Sequence, residues 1–354
     1  MTLSVGTVAG KSYIETDRQV RSLVEEVRSG VFKPVYLLMG EEPYYPELLC
    51  QAIIDNCLQD WEKDFNELIC YGADTDADTV ITAARRFPMM AERQLVVVKE
   101  AQSMKTLEDL ALYCQKPLDS TVLVILLHGA SVDKRKSLYK TVLKQGVIVE
   151  SLPLRDYETQ QWIVSFYGER GLQIDPEAAQ LLVESAGTDL GKIAVETDKL
   201  LKNLPEGVKA VRTEDIEKNV GISRQYSIFE LTKALSFRDA ARAVKVARNV
   251  GESPKFAMPM AVSMLFSHFN RILRYHALIQ AGQGGDSAAK AKVLGVNPYF
   301  FKEYDTAVKK YSLKQAMRVI SLLNEYDFKG KGGEAGEATP ADLLVELTTK
   351  ILNI

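Results

Sequence analysis

The sequence predicts an N-terminal α/β domain with a parallel sheet, a small helical domain after it, and an all-α domain at the C-terminal end. Three observations lead there. First, short apolar runs at Val35–Met39, Leu95–Val98, Val122–Leu127 and Val147–Val149 alternate with helix-like segments over the first 150 residues. Runs without polar alternation suit strands buried on both faces, as in a parallel sheet covered by helices. Second, strand signals stop after Leu154 and helical periodicity takes over. Third, 354 residues exceed one ordinary core, and Gly221–Gln225 reads as a hinge. The expected domains are 1–152, 153–221 and 222–354.

The elements follow in order. The first run ends at Gly40, and a helix follows with Pro46 in its first turn and Leu48, Leu49, Ala52 and Ile53 on one face. Phe65 to Tyr71 reads as a second strand and Thr79 to Arg86 as the end of a helix. Asp156 caps a helix expected to stop at Gly171 and carrying Trp162, Ile163 and Phe166. Asp175-Pro176-Glu177 supplies a cap, a first-turn proline and a first-turn acid for a helix through Ala186. Helices are expected from Leu190 to Leu204 and after Thr213-Glu214. Beyond the hinge come Ser227–Ser236, Asp239–Asn249 and Met258–Gln280. Gly282, Gly284 and Gly285 break the pattern before Pro298–Lys310 and Ser312–Phe328. The glycine-rich stretch Lys329–Ala338 precedes a last helix capped by Thr339-Pro340.

Composition narrows the function classes. The chain is 46% hydrophobic and 26% charged, with a net charge of −3, so no strong overall field points to a nucleic-acid or membrane partner. No run approaches the roughly 18 apolar residues of a membrane helix, and the start has no apolar stretch like that of a signal peptide. A cytoplasmic protein is expected, without a membrane partner. Cys50, Cys57, Cys70 and Cys114 form no C-x-x-C pair and lie far in sequence from His128, His268 and His276. Reduced thiols are expected, with no metal site and no disulfide. Charge is uneven. Residues 221–354 carry 19 basic and 12 acidic side chains, a net of +7, and residues 1–220 carry 25 and 35, a net of −10.

An α/β domain followed by helices is the layout of AAA+ ATPases, whose first strand leads into G-x-x-x-x-G-K-[ST]. Here the strand leads into Gly40-Glu41-Glu42-Pro43-Tyr44-Tyr45-Pro46-Glu47. Tyr45 stands at the second glycine, Pro46 at the lysine and Glu47 at the magnesium-binding hydroxyl. Tyr45 crowds the backbone, Pro46 removes an amide and a cation, and three glutamates oppose a triphosphate. An ATPase also needs an apolar strand ending in Asp-Glu. Here Val96-Val97-Val98 ends in Lys99-Glu100, with lysine in place of the aspartate. Both motifs are degenerate, so no nucleotide cofactor, metal or intrinsic catalytic activity is expected.

The chain resembles the delta subunits of bacterial DNA polymerase III, AAA+ clamp-loader proteins without a working ATP site. Four blocks carry the resemblance: VYLLMGEEPYYPELL, FPMMAERQLVVVKEAQ, TVLVILLHGASVDKRKSLYK and GTDLGKIAVETDKL. It covers the chain in order and length, is most specific in the second block and is weakest after Gly251. The resemblance implies a subunit that binds the ring-shaped beta sliding clamp and opens it for loading onto primed DNA. It also implies a C-terminal collar shared with gamma/tau and delta-prime type subunits, whose bound ATP controls exposure of the clamp anchor. In the family the anchor is two adjacent hydrophobic residues, typically leucine then phenylalanine, ahead of an arginine and the next strand. Those positions here are Met89 and Met90, followed by Arg93 and Leu95. Methionine departs from the usual pair but fills irregular apolar pockets well. Phe87 supplies an aromatic group nearby and Pro88 fixes the turn. Read without the resemblance, Phe87-Pro88-Met89-Met90 before a strand is core packing.

Other residues read more plainly. Lys134-Arg135-Lys136 lacks the signature of an arginine that reaches a neighbour's ATP and reads as a solvated helix start. Gly191-Lys192 falls where an active lid carries its phosphate-sensing arginine. His128, at the end of a buried strand, reads as a satisfied structural histidine. Two other functions compete with the clamp-loader reading: an ATP-using AAA+ motor subunit, which the two degenerate motifs oppose, and a direct nucleic-acid binder using the basic C-terminal third.

Overall fold

The computed structural model describes residues 13–205, 207–220, 228–253, 256–333 and 337–354. The chain divides into two compact units, Met1–Leu154 and Arg155–Ile354. The hinge read at 221–225 lies outside the described residues.

The first unit runs α1 (Tyr13–Arg28), β1 (Val35–Gly40), α2 (Tyr44–Cys57), α3 (Asp60–Asn66), β2 (Glu67–Tyr71), α4 (Ala77–Ala84), β3 (Gln94–Lys99), α5 (Ala111–Cys114), β4 (Thr121–Leu126), α6 (Ser137–Gln145) and β5 (Val147–Ser151). The strands form one parallel sheet in the order β2-β3-β4-β1-β5. Leu37 of β1 sits in register with Ile125 on one side and Ile148 on the other. Every residue of β1 and β4 is buried, as the unalternating apolar runs predict for central strands. Edge strand β2 keeps Ile69 and Tyr71 exposed. One face of the sheet buries Val35, Leu37, Val96, Leu123 and Ile125 with Val80, Leu138 and Val142 from the helices.

The second unit runs α7 (Asp156–Gly168), β6 (Gln173–Ile174), α8 (Pro176–Ala186), α9 (Leu190–Asn203), β7 (Ala210–Val211), α10 (Thr213–Val220), α11 (Ile228–Phe237), α12 (Ala240–Gly251), α13 (Met258–Gln280), α14 (Ser287–Leu294), α15 (Phe301–Lys310), α16 (Leu313–Gly330) and α17 (Pro340–Leu352). Residues from α11 to α17 share one core centred on Leu235, Leu265, Phe269, Tyr311, Leu323 and Leu347. Gly251 lets α12 and α17 meet, since a Cβ there would lie 2.5 Å from the Cα of Ala341.

Several expectations need correction. Phe65 and Asn66 finish α3, so the second strand starts at Glu67. Helix α7 stops at Gly168, and Gly171 instead forms the turn beyond it with φ of 72°. Strands do occur after Leu154: β6 and β7 pair in parallel, but at two residues each they are too short to leave a periodic signal. Helices α1 and α14 were not foreseen; Asp286 caps α14 by accepting the N–H groups of Ala288 and Ala289.

Candidate functional site

The loop between α4 and β3 carries the residues singled out as an anchor. Phe87 is 82% exposed, Met89 61% and Met90 90%, and Pro88 is half-buried. Core packing therefore does not describe this segment. The loop is fastened from below. Asn66, itself buried, donates from Nδ2 to the Met89 carbonyl at 3.0 Å and accepts the Met89 N–H at Oδ1 at 2.6 Å. A third bond, from Nδ2 to the Glu62 carbonyl at 3.0 Å, ties the same amide to its own helix. At the ends of the loop, the buried Gln94 amide donates to the Arg86 carbonyl at 2.6 Å and to Thr121 Oγ1 at 2.8 Å. Thr121 in turn donates to the Ala84 carbonyl at 2.9 Å. The guanidinium of Arg93 lies 4.8 Å over the Phe32 ring and reaches the Gly30 carbonyl at 3.3 Å.

Held this way, the loop presents Phe87, Met89 and Met90 outward, exposed among the described residues. Met90 adopts a left-handed backbone, φ 54°, a conformation that non-glycine residues occupy at some cost. Sequence reasoning missed Asn66, and it missed Trp61 and Phe65, which are 64% and 70% exposed on α3. Their spacing of four residues in a short acidic helix was the available signal.

The second place of interest is the loop after β1, at the carboxyl ends of the strands, where β1 and β4 reverse the strand order and α/β sheets commonly bind ligands. Gly40 is retained for packing: at φ 135° a Cβ there would lie 2.0 Å from the Ser151 carbonyl oxygen, and its N–H donates to the Ala130 carbonyl at 2.8 Å. Tyr45 turns inward, 1% exposed, and its hydroxyl donates to Asp17 Oδ1 at 3.1 Å. Pro46 is buried beside it. Glu42 is buried and accepts the Tyr44 N–H at 2.9 Å. Glu47, in the first turn of α2 where the helix dipole favours an acid, meets His128 Nδ1 at 2.7 Å. His128 is therefore a half-exposed partner of Glu47 just beyond β4, not an interior residue. Lys99 ends β3, and Glu100 follows with φ of 48°.

The basic cluster ahead of α6 is neutralised within the unit. Lys134 pairs with Glu150 at 2.7 Å, Arg135 with Asp133 at 2.8 Å and Lys136 with Glu108 at 3.8 Å. All four cysteines are free thiols, and burial pushes those of Cys50, Cys57 and Cys114 up to about 12. No group of three or more metal-ligating side chains occurs among the described residues. Nor is any helix among them long and apolar enough to cross a membrane.

Comparison with known proteins converges on one family. Residues 36–152 match the family model described as DNA polymerase III, delta subunit. Residues 225–347 match the model described as DNA polymerase III delta subunit, C-terminal domain. A Bacillus subtilis protein named DNA polymerase III subunit delta is 26% identical over 334 residues, covering 91% of this chain and 94% of that one. An Aquifex aeolicus protein with the same subunit designation is 23% identical over 214 residues, covering 57% of this chain and 59% of its own. The solved structure of a Bacillus subtilis DNA clamp loader delta protein superposes with a TM-score of 0.55 at 25% identity, covering 95% of this chain and all of that one. With the two models spanning most of both units, the chain belongs to the DNA polymerase III delta subunit family.

Proposed function

We propose that this chain is the non-catalytic delta subunit of a clamp loader, and that it grips the beta sliding clamp through Phe87, Met89 and Met90. The observation that carries the reading is the combination of outward-facing apolar side chains with a backbone fixed by Asn66 and Gln94. Apolar anchors already ordered before contact lose little side-chain and loop entropy on binding. Desolvating them in a partner's pocket makes them candidate hot spots. Ring opening then draws on binding energy, with ATP handled by neighbouring gamma/tau and delta-prime type subunits in the collar assembly.

The loop after β1 supports a role without nucleotide. The motif lysine is replaced by a buried proline, the buried Tyr45 is fastened to α1, and Glu47 with His128 lies at the mouth of the strands.

The test is binding of the full chain to the sliding clamp of its own species, without ATP, for wild type and Met89→Ala/Met90→Ala. Wild type should bind, and the double variant should weaken by about 30- to 100-fold, the loss of roughly 2–3 kcal/mol of hot-spot contact. Because both side chains are exposed, thermal stability should change by no more than about 0.5 kcal/mol. Equal binding by both proteins moves the anchor to Phe87. Absence of binding by wild type overturns the proposal.

A further inference from the structure

Helix α3 is inverted for a helix that packs only on its own domain. It buries a polar residue, Asn66, and turns Trp61 and Phe65 outward at 64% and 70% exposure. Apolar residues of a surface helix ordinarily face the core. A buried polar group beside large exposed apolar ones is the informative departure from that rule. Trp61 and Phe65 are four residues apart and so stand on one face, one turn from each other. The polar side chains of the helix are engaged locally. Glu62 Oε2 accepts the Gln59 N–H at 2.8 Å, and Lys63 pairs with Asp60 at 2.8 Å. These contacts fix a helix of seven residues, too short to persist by itself, with its aromatic pair in solvent.

The pair lies beside the clamp anchor. Glu67, which follows α3 directly, is in register with Leu95 of β3. The end of α3 and the loop before β3 therefore emerge at the same end of the sheet, on strands about 5 Å apart. Asn66, next in sequence to Phe65, makes both hydrogen bonds to Met89, so helix and loop are one fastened surface. The first unit has four exposed aromatic side chains among its described residues. Trp61, Phe65 and Phe87 gather here, and Tyr71 is at the far end of β2. Area then decides what the anchor needs. Phe87, Met89 and Met90 together present on the order of 450 Å², whereas a specific protein interface covers about 800 Å² on each partner. Trp61 and Phe65 add roughly 300 Å², nearly the difference, and tryptophan is among the residue types enriched in hot spots.

We infer that the sliding clamp, when it seats Met89 and Met90, also closes over Trp61 and Phe65 of α3, which form its second contact. The inference rests on the clamp-anchor reading of the loop and extends it to residues outside the loop. A second copy of this chain is the competing occupant. The bonds from Asn66 to Met89 favour the clamp, because whatever covers the anchor comes against α3.

The experiment measures sliding-clamp binding by the full chain, without ATP, for wild type and Trp61→Ala/Phe65→Ala. The double variant should bind about tenfold more weakly while its thermal midpoint stays within about 2 °C of wild type. Leu112→Ala, which removes an exposed apolar side chain from α5, should leave affinity within about twofold. Iodide quenching separates direct contact from a loosened loop. The chain has two tryptophans, and Trp162 is buried, so the quenching lost in Trp61→Phe reports Trp61. That quenching should fall at least about twofold when the clamp is added, as burial of the ring requires. Unchanged Trp61 quenching at saturating clamp would overturn the inference, whatever the affinity of the alanine variant. Clamp binding lost in Met89→Ala/Met90→Ala but kept in Trp61→Ala/Phe65→Ala would leave the anchor standing and strike the second contact. The reverse pattern would move the clamp contact to α3 and strike the anchor. Sedimentation that shows a wild-type dimer and a Trp61→Ala/Phe65→Ala monomer, with clamp affinity equal in both, would assign this face to a second copy.

Discussion

The side-chain amide of Asn66 pairs with the backbone of Met89 as a strand neighbour would, donating to its carbonyl at 3.0 Å and accepting its N–H at 2.6 Å. One buried residue at the end of α3 thereby sets the height and direction of the loop bearing Phe87, Met89 and Met90.

Asn66→Ala should expose the consequence. The substitution leaves the Met89 N–H and carbonyl without their partner and is expected to cost about 1–3 kcal/mol in denaturant unfolding. It should also weaken clamp binding although Asn66 is itself buried, because a loosened loop must be ordered on contact. Unchanged clamp affinity in a destabilised Asn66→Ala protein would show that loop order contributes nothing to binding.

Restoring the phosphate motif by sequence should not restore nucleotide binding. Tyr45→Gly/Pro46→Lys/Glu47→Thr recreates the spacing, but deleting the buried Tyr45 ring should cost about 3–5 kcal/mol. Glu42 remains buried in the loop and Lys99 still replaces the aspartate. Calorimetric titration with Mg-ATP should give no binding heat. Micromolar affinity in the triple variant would show that the rest of the site is intact.

A buried polar set in the second unit makes stability depend on pH. Ser236 Oγ lies 2.9 Å from His268 Nε2 and 3.0 Å from Glu303 Oε1. Burial raises the Glu303 carboxyl from 4.5 to about 7, against partial relief from Ser236 and Lys233, and Glu230 and Glu177 add to the rise. Burial lowers His268 from 6.5 to about 3, helped by Arg271. Between about pH 4.5 and 7 the unfolded Glu303 is ionised while the folded one keeps its proton. Unfolding therefore releases a proton, and this contribution falls as pH rises through that window. For His268 the unfolded ring binds a proton below about 6.5 that the folded ring refuses down to about 3, so its contribution falls as pH drops. Glu303→Gln keeps an oxygen that accepts from Ser236 and removes the first effect. The variant should match wild type near pH 4.5 and exceed it by on the order of 2 kcal/mol at pH 8. Urea unfolding at the two pH values checks this, and a variant weaker than wild type at both contradicts it.

Helix contact in the C-terminal core should be sensitive at Gly251. A methyl group there meets the Ala341 backbone at 2.5 Å, so Gly251→Ala should cost about 1–3 kcal/mol through overpacking of α12 against α17. A thermal melt reads the loss. A stability equal to wild type would mean that the two helices separate freely.

Much of this protein was legible in the chain alone. The parallel sheet followed from unalternating apolar runs, because a strand covered on both faces has no solvent side to mark with polar residues. The helices with proline or acid at the first turn were placed within a few residues, as with Pro176 and Pro340, since caps are local chemistry. The substitutions Tyr45, Pro46, Glu47 and Lys99 were visible because the phosphate motif is contiguous, and so was the Met89-Met90 pair ahead of β3. Tertiary structure alone decided the rest. Whether Phe87-Pro88-Met89-Met90 faced the core or solvent depended on Asn66, 23 residues away from Met89. His128 turned outward to Glu47 across 81 residues. Periodicity and caps report on neighbours along the chain, whereas the direction of a side chain and the company of its charge depend on distant segments that meet only when the chain folds.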